Sequence, residues 1–154
     1  MARKSSSQKG ASMVEFALVL PLLLLILFGI IEFGVMLYDK AVITNASREG
    51  ARRAIVYRAD PNNNFQYSPL DAGQVTAEVN NYLQGRLISL QGPAAATVNV
   101  AWPTSPTGDP LVEVQVTHVY NFFILPNISA LPLIGGALGG PVTLTAVARM
   151  RMEG

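Results

Sequence analysis

From Gly10 to Tyr38 the chain reads GASMVEFALVLPLLLLILFGIIEFGVMLY, and between Phe16 and Ile31 it carries no charge. No other stretch constrains the fold as strongly. As a helix from Ala11 to Tyr38 it would rise about 42 Å, enough to cross a ~30 Å hydrocarbon layer. A cleaved secretory signal would have a shorter apolar core followed by a small-residue cleavage site. Here the apolar run continues well past that length, and no convincing site of that kind lies between Phe28 and Asp39. The pattern predicts a retained membrane helix, transmembrane over about residues 13–38.

Its flanks set an expected orientation. Arg3, Lys4 and Lys9 precede it in a short Ser-rich leader without an acidic residue, which places the N-terminus in the cytoplasm and the rest outside. Arg48, Arg52, Arg53 and Arg58 oppose this reading. Asp39, Glu49 and Asp60 partly balance them, and a short basic N-terminus usually dominates.

Glu15 interrupts the apolar run near its start and Glu32 near its end. A carboxylate inside a membrane helix costs a few kcal/mol at the centre and less near the interface, and it commonly marks a partner. Glu15 is therefore either solvated at headgroup depth or paired. Glu32 is expected to lie among the outer headgroups. A basic leader, Gly10, Ala11 and then a glutamate five residues into the apolar run resemble a type IV prepilin signal. The resemblance implies that a prepilin peptidase cuts between Gly10 and Ala11, and that Glu15, with Phe16 beside it, orients the subunit against a neighbour during assembly. An amine and a carboxylate entering lipid together cost less than either alone.

The family narrows further. Glu15, Pro21, the Gly29/Glu32/Gly34 spacing and the string NASREGARRA from Asn45 to Ala54 resemble the TadE-like group of the tight-adherence pilus system. The likeness is specific over roughly the first third of the chain. Major pilins of that system tend to have Tyr after the glutamate and are much shorter, whereas this chain has Phe16 and 154 residues. Both departures favour a minor pilin, or pseudopilin. By resemblance its partners would be other minor pilins, the major pilin, the prepilin peptidase and the inner-membrane assembly platform, besides membrane lipid. Glu49, Gly50, Arg52 and Arg53 would be candidate helix-packing contacts.

At this length there is room for one membrane helix and one small domain. A net charge of +1 gives no basic field for nucleic acid. The chain has no cysteine, which excludes disulfides, thiolate metal sites and cysteine nucleophiles.

Residues 1–10 are read as a leader too short and polar to fold. One helix is expected from Ala11 to about Arg58, with Pro21 kinking it or opening its hydrogen bonds. Glu49 precedes Arg53 by four residues, the favourable order for an ion pair, and Gly50 suggests a tight packing contact. Asp60-Pro61-Asn62-Asn63-Asn64 breaks the helix. A second helix is expected from Ser68 to Leu90, with Ser68 as N-cap, Pro69 at its first position and Asp71 in its first turn. Its apolar face would hold Val75, Val79, Tyr82, Leu83 and Leu87, and Gly92-Pro93 would end it. Alternation over Thr97–Trp102, Val112–Tyr120 and Val142–Met152 marks three half-buried strands. The expected fold is α+β: a long membrane helix, then a domain over residues 59–154 in which the second helix covers a three-stranded antiparallel sheet. Strand order is not legible. Phe122–Gly140 reads FFILPNISALPLIGGALGG. Pro126 and Pro132 argue against a second span, leaving either a loop over the sheet edge or an apolar surface for a partner subunit or the membrane.

Catalytic chemistry finds no support. His118 is the sole histidine and falls on the apolar side of its strand, as a core or edge histidine does. The glycines from Gly135 to Gly140 lack the Lys-Ser/Thr of a phosphate loop. No cofactor or metal and no enzyme activity is expected. The alternative to a pilin is an uncut, single-span anchor presenting an extracytoplasmic binding domain.

Overall fold

A computed structural model describes residues 6–56, 58–60, 63–68, 70–90, 94–103, 110–123 and 141–152, with side chains described at 10–56 and from 70 onward. Residues 1–5 of the leader, Pro61-Asn62 of the breaker, Pro69, Gly92-Pro93 and 124–140 lie outside the described residues.

The first element is a single α-helix, α1, Ser6–Ala54. It starts inside the stretch read as an unfolded leader, because extending an existing helix by a turn fixes few torsions per hydrogen bond gained. It passes through Pro21 without leaving the α-helical state, although Pro21 has no N–H for the Ala17 carbonyl. It stops before the expected Arg58. Ile55, Val56 and Tyr57 are poor helix formers. Arg58 instead enters a two-stranded antiparallel ribbon, β1 (Arg58–Asp60) with β2 (Asn63–Ser68), that the sequence reading did not anticipate.

The second helix, α2, is Ala72–Leu83, shorter at both ends than Ser68–Leu90. Ser68 belongs to β2, and the N-cap is Asp71. The Asp71 carboxylate accepts the Gln74 N–H at 2.8 Å, and the Gln74 side chain accepts the Asp71 N–H at 3.2 Å. This reciprocal box satisfies two donors that a cap at Ser68 would leave open. The other end closes at Gly85, whose φ of +69° suits a residue without Cβ. Leu87 lies beyond the helix yet still packs on the core.

Among the described residues three further strands follow: β3 (Ala96–Ala101), β4 (Leu111–Tyr120) and β5 (Val142–Arg151). They form an antiparallel sheet in the order β3-β4-β5, with Val98 opposite Val116 and Val114 opposite Ala148. The alternation read from the sequence is the observed burial pattern, most plainly in β4, where Val112, Val114, Val116, His118 and Tyr120 face inward. The sheet ends one residue before Trp102, which is 40% exposed.

The cover of the sheet differs from expectation. α2 packs against β3, while the second half of α1 lies over β4 and β5 and also against α2. The inner stripe of α1 is Glu32, Asp39, Val42, Ile43, Ala46, Ser47, Gly50, Ala51 and Ala54, all buried at the 3.6-residue period. Toward its C-terminal end the stripe is made of small side chains, so the helix can sit close to the sheet's valines. Gly50 is the tightest point: a Cβ there would lie 2.5 Å from Cγ2 of Val79 and 3.2 Å from Cγ1 of Val114. The Val42/Ile43/Ala46/Ala51/Ala54 set forms one core with Val75, Val79, Val112, Val114 and Val116.

Replacing Gly50 by Ala gains about 1 kcal/mol of helix propensity but overpacks against stiff, buried valines, which costs about 1–3 kcal/mol. Gly50→Ala should therefore lower the thermal unfolding midpoint in detergent micelles. Adding Val79→Ala should cost less in that background than in the parent chain.

Candidate functional site

Residues singled out by the sequence fall into two groups at opposite ends of α1. Gly10, Ala11, Glu15 and Phe16 are all exposed on its apolar first half, where Phe16 is 62% exposed and a Cβ on Gly10 would meet nothing within 4 Å. Ala11 and Glu15 stand one turn apart on one face. About 57 Å along the helix, at 1.5 Å per residue, begins the group of Glu49, Gly50, Arg52 and Arg53. Of these, Gly50 is committed to the contact with α2. Arg53 donates to Glu49 at 2.8 Å and to Glu78 of α2 at 3.1 Å. The Glu49 hydrogen bond and then the Glu78 charge hold the Arg53 pKa above its ordinary value. Arg52 is exposed, in an i, i+4 row with Arg48.

Between the two groups lies a polar clamp that sequence reasoning did not assemble. Glu32, expected among headgroups, is 1% exposed and sealed into the fold. The backbone N–H of Phe123 donates to its Oε1, and the Tyr120 hydroxyl donates to its backbone carbonyl at 3.2 Å. Phe122 sits edge-on to both Phe33 and Tyr120, with centroids 5.8 and 5.3 Å apart. The end of β4 is thereby fastened to α1 by hydrogen bonds and rings together. Burial, followed by the Glu32 and Asp39 carboxylates, pushes the Tyr120 hydroxyl pKa up.

Two turns further along the same face, Asp39 is fully buried. Its Oδ1 accepts the Ile88 N–H at 2.9 Å, tying down the segment after α2. Its Oδ2 faces Nε2 of His118 at 3.7 Å, and neither of those two atoms has a hydrogen-bond partner. Nδ1 of His118 lies 2.7 Å from the Ala95 carbonyl, so Nδ1 carries the proton. Burial pushes the Asp39 carboxyl above its ordinary value, against the Ile88 N–H and His118, which pull it down. His118 is thus the core histidine that its position on the strand suggested. The signal for this clamp was present in the sequence as acids at 32 and 39, seven residues apart and so on one helical face. Their partners were not visible.

The clamp is architectural in its chemistry. Among the described residues no group of three His, Cys, Asp or Glu could hold a metal ion. An open depression beside the end of α2, lined by Asn80, Leu83, Gln84, Gly85, Leu87 and Ala94, offers no titratable side chain.

Asp39 supplies a test. With its folded pKa raised, the folded state holds the proton more tightly than the unfolded chain. The contribution of Asp39 to stability is then greatest below the ordinary value of 3.8 and is lost as pH rises through the raised one. Asp39→Asn should abolish that slope and keep neutral-pH stability, since its oxygen can accept from Ile88 and its amide donate to Nε2 of His118. Asp39→Ala should lose about 1–3 kcal/mol by leaving the Ile88 N–H without a partner. Thermal unfolding as a function of pH reads both.

Set against known proteins, residues 10–52 match the family model described as TadE-like protein. No curated protein and no solved structure matches the chain. The matched segment lies wholly within α1, from the exposed glycine through the small-residue stripe that meets the sheet. From Gly10 to Arg52, the long helix of this chain is similar to the TadE-like family; the match does not extend to the sheet or to α2.

Proposed function

We propose that the chain is a structural minor pilin, or pseudopilin, of a tight-adherence type IV pilus. It is held in the inner membrane by α1, with its N-terminus cytoplasmic and residues 59–154 in the periplasm, and it is processed after Gly10. The observation that carries this reading is the coincidence of the TadE-like match with a helix whose large apolar side chains from Met13 to Ile31 are exposed on every side. Such a surface needs lipid or other apolar helices around it. The same helix is long and apolar enough to cross a membrane by length and composition.

The positions around the processing site fit the role. Gly10 weakens the helix by about 1 kcal/mol relative to alanine, so the first turns are the easiest to open for a peptidase. Cleavage would leave Ala11 as a free amine one turn from Glu15. In a fibre or priming complex, Glu15 would meet the amine of a neighbouring subunit, with Phe16 packing beside it. Its partners are other minor pilins, the major pilin and the inner-membrane assembly platform. The Gly50 and Arg53 contacts within the fold leave Arg48 and Arg52 as the cationic row of α1 open to a neighbour.

Intact mass of the membrane-extracted protein, with and without its cognate prepilin peptidase, tests the reading. Loss of residues 1–10 only when the peptidase is present is the expected result. In the same strain, Glu15→Leu should still be cut and reach the membrane but enter pili poorly. A full-length mass under both conditions would favour an uncut anchor with an external binding domain.

A further inference from the structure

The membrane end of the fold carries a second apolar surface besides the helix. The Phe123 N–H is bonded to the Glu32 carboxylate, and Tyr120 to the Glu32 carbonyl. The end of β4 therefore lies at the height of Glu32 along α1. The apolar part of α1 below that point, Ala11–Ile31, measures about 30 Å, the thickness of a hydrocarbon layer. If that part fills the bilayer, Glu32 and everything fastened to it stand at the boundary between acyl chains and headgroups. There Phe33 is 48% and Phe123 is 51% exposed. Val142, which pairs with Tyr120 and opens β5, is 36% exposed.

We infer that Phe33, Phe123 and Val142 form a lipid-facing collar, through which the domain rests on the outer headgroup–acyl boundary of the membrane that α1 spans. This rests on the membrane reading given above. The occupant is lipid because the collar is continuous with the lipid-facing helix and shares its depth. Exposed apolar side chains such as Phe are buried at the headgroup–acyl boundary by interfacial surfaces. A domain joined to the span by a flexible linker could tilt away. Here α1 runs unbroken from span to core, and Glu32 fixes the end of β4 to it.

The chain's own Trp102 provides the reference, because it follows the end of β3 that pairs with Glu113, away from Tyr120. The full chain, reconstituted in phosphatidylcholine vesicles brominated on the acyl chains, would be compared with the Trp102→Phe chain carrying Phe123→Trp. A Trp102→Phe chain with Val142→Trp gives a second position should the first substitution disturb the fold. Tryptophans at 123 and 142 should lose a large part of their emission through contact with the brominated acyl chains, whereas Trp102 should lose almost none. A third chain, Trp102→Phe with Leu24→Trp, reports on the span itself. Quenching at 24 without quenching at 123 and 142 overturns the collar and leaves the span standing. A blue-shifted but unquenched tryptophan at 123 would assign the surface to another protein copy and also overturn it. No quenching at 24 removes the span and the collar together.

Discussion

Along α1 the backbone hydrogen bonds continue unbroken while what the side chains face changes, and that change falls at Glu32; under the proposed membrane reading it is the passage from bilayer to protein core. Before it, large apolar side chains point outward in all directions; from it onward, one stripe is buried against the sheet and α2 while the other faces stay exposed. The helix can serve both environments because its own hydrogen bonds need neither. What differs is the side-chain pattern: uniform Leu, Ile, Val and Phe in the first half, then a stripe of small residues at helical spacing. The sheet has no other comparable cover over β4 and β5 among the described elements. Under the proposed membrane reading, the depth of the whole domain is then set by where that stripe begins.

The acids on the stripe fix the register between helix and sheet. A buried carboxylate is costly unless bonded, so Glu32 and Asp39 favour the one arrangement in which Phe123, Tyr120, Ile88 and His118 reach them. An Ala and Val interface alone could slide by a turn with modest loss; one with two buried acids two turns apart cannot. The Asp39 and His118 atoms left without hydrogen bonds show that this specificity is incompletely compensated, in keeping with buried ionic groups that contribute more to uniqueness than to stability. Gly50 adds a steric limit at the far end, where the helix approaches closest.

Much of this architecture was legible. The three strands of the sheet followed from alternation, since β4 places an inward side chain at every second residue from Val112 to Tyr120, whereas the short ribbon of β1 and β2 has no such pattern and was missed. The apolar helix followed from length. The ends of α2 were misplaced because Ser68-Pro69 and Gly92-Pro93 are strong local signals, while the Asp71/Gln74 box and the turn at Gly85 compete with them and win through hydrogen bonds that spacing alone does not weigh. The role of Glu32 was illegible for a different reason: its partner Phe123 is 91 residues away, and no local pattern links them. Gly10, Ala11, Glu15 and Phe16 stand apart, because all four are exposed on the apolar half of α1, away from the core. Their reading comes through likeness to a family and through the cost of a carboxylate in lipid.

The central claim is that one helix is divided at Glu32 between lipid and core. The chain lacks cysteine, so single cysteines can be placed along α1 and probed in intact membranes with a membrane-impermeant maleimide. Cysteines at Leu18, Leu24 and Ile30 should label only after detergent is added, while those at Ala41, Asn45 and Arg52 should label from the periplasmic side without it. Labelling at Leu24 in intact membranes, or protection at Asn45 and Arg52 that detergent relieves, would contradict the division.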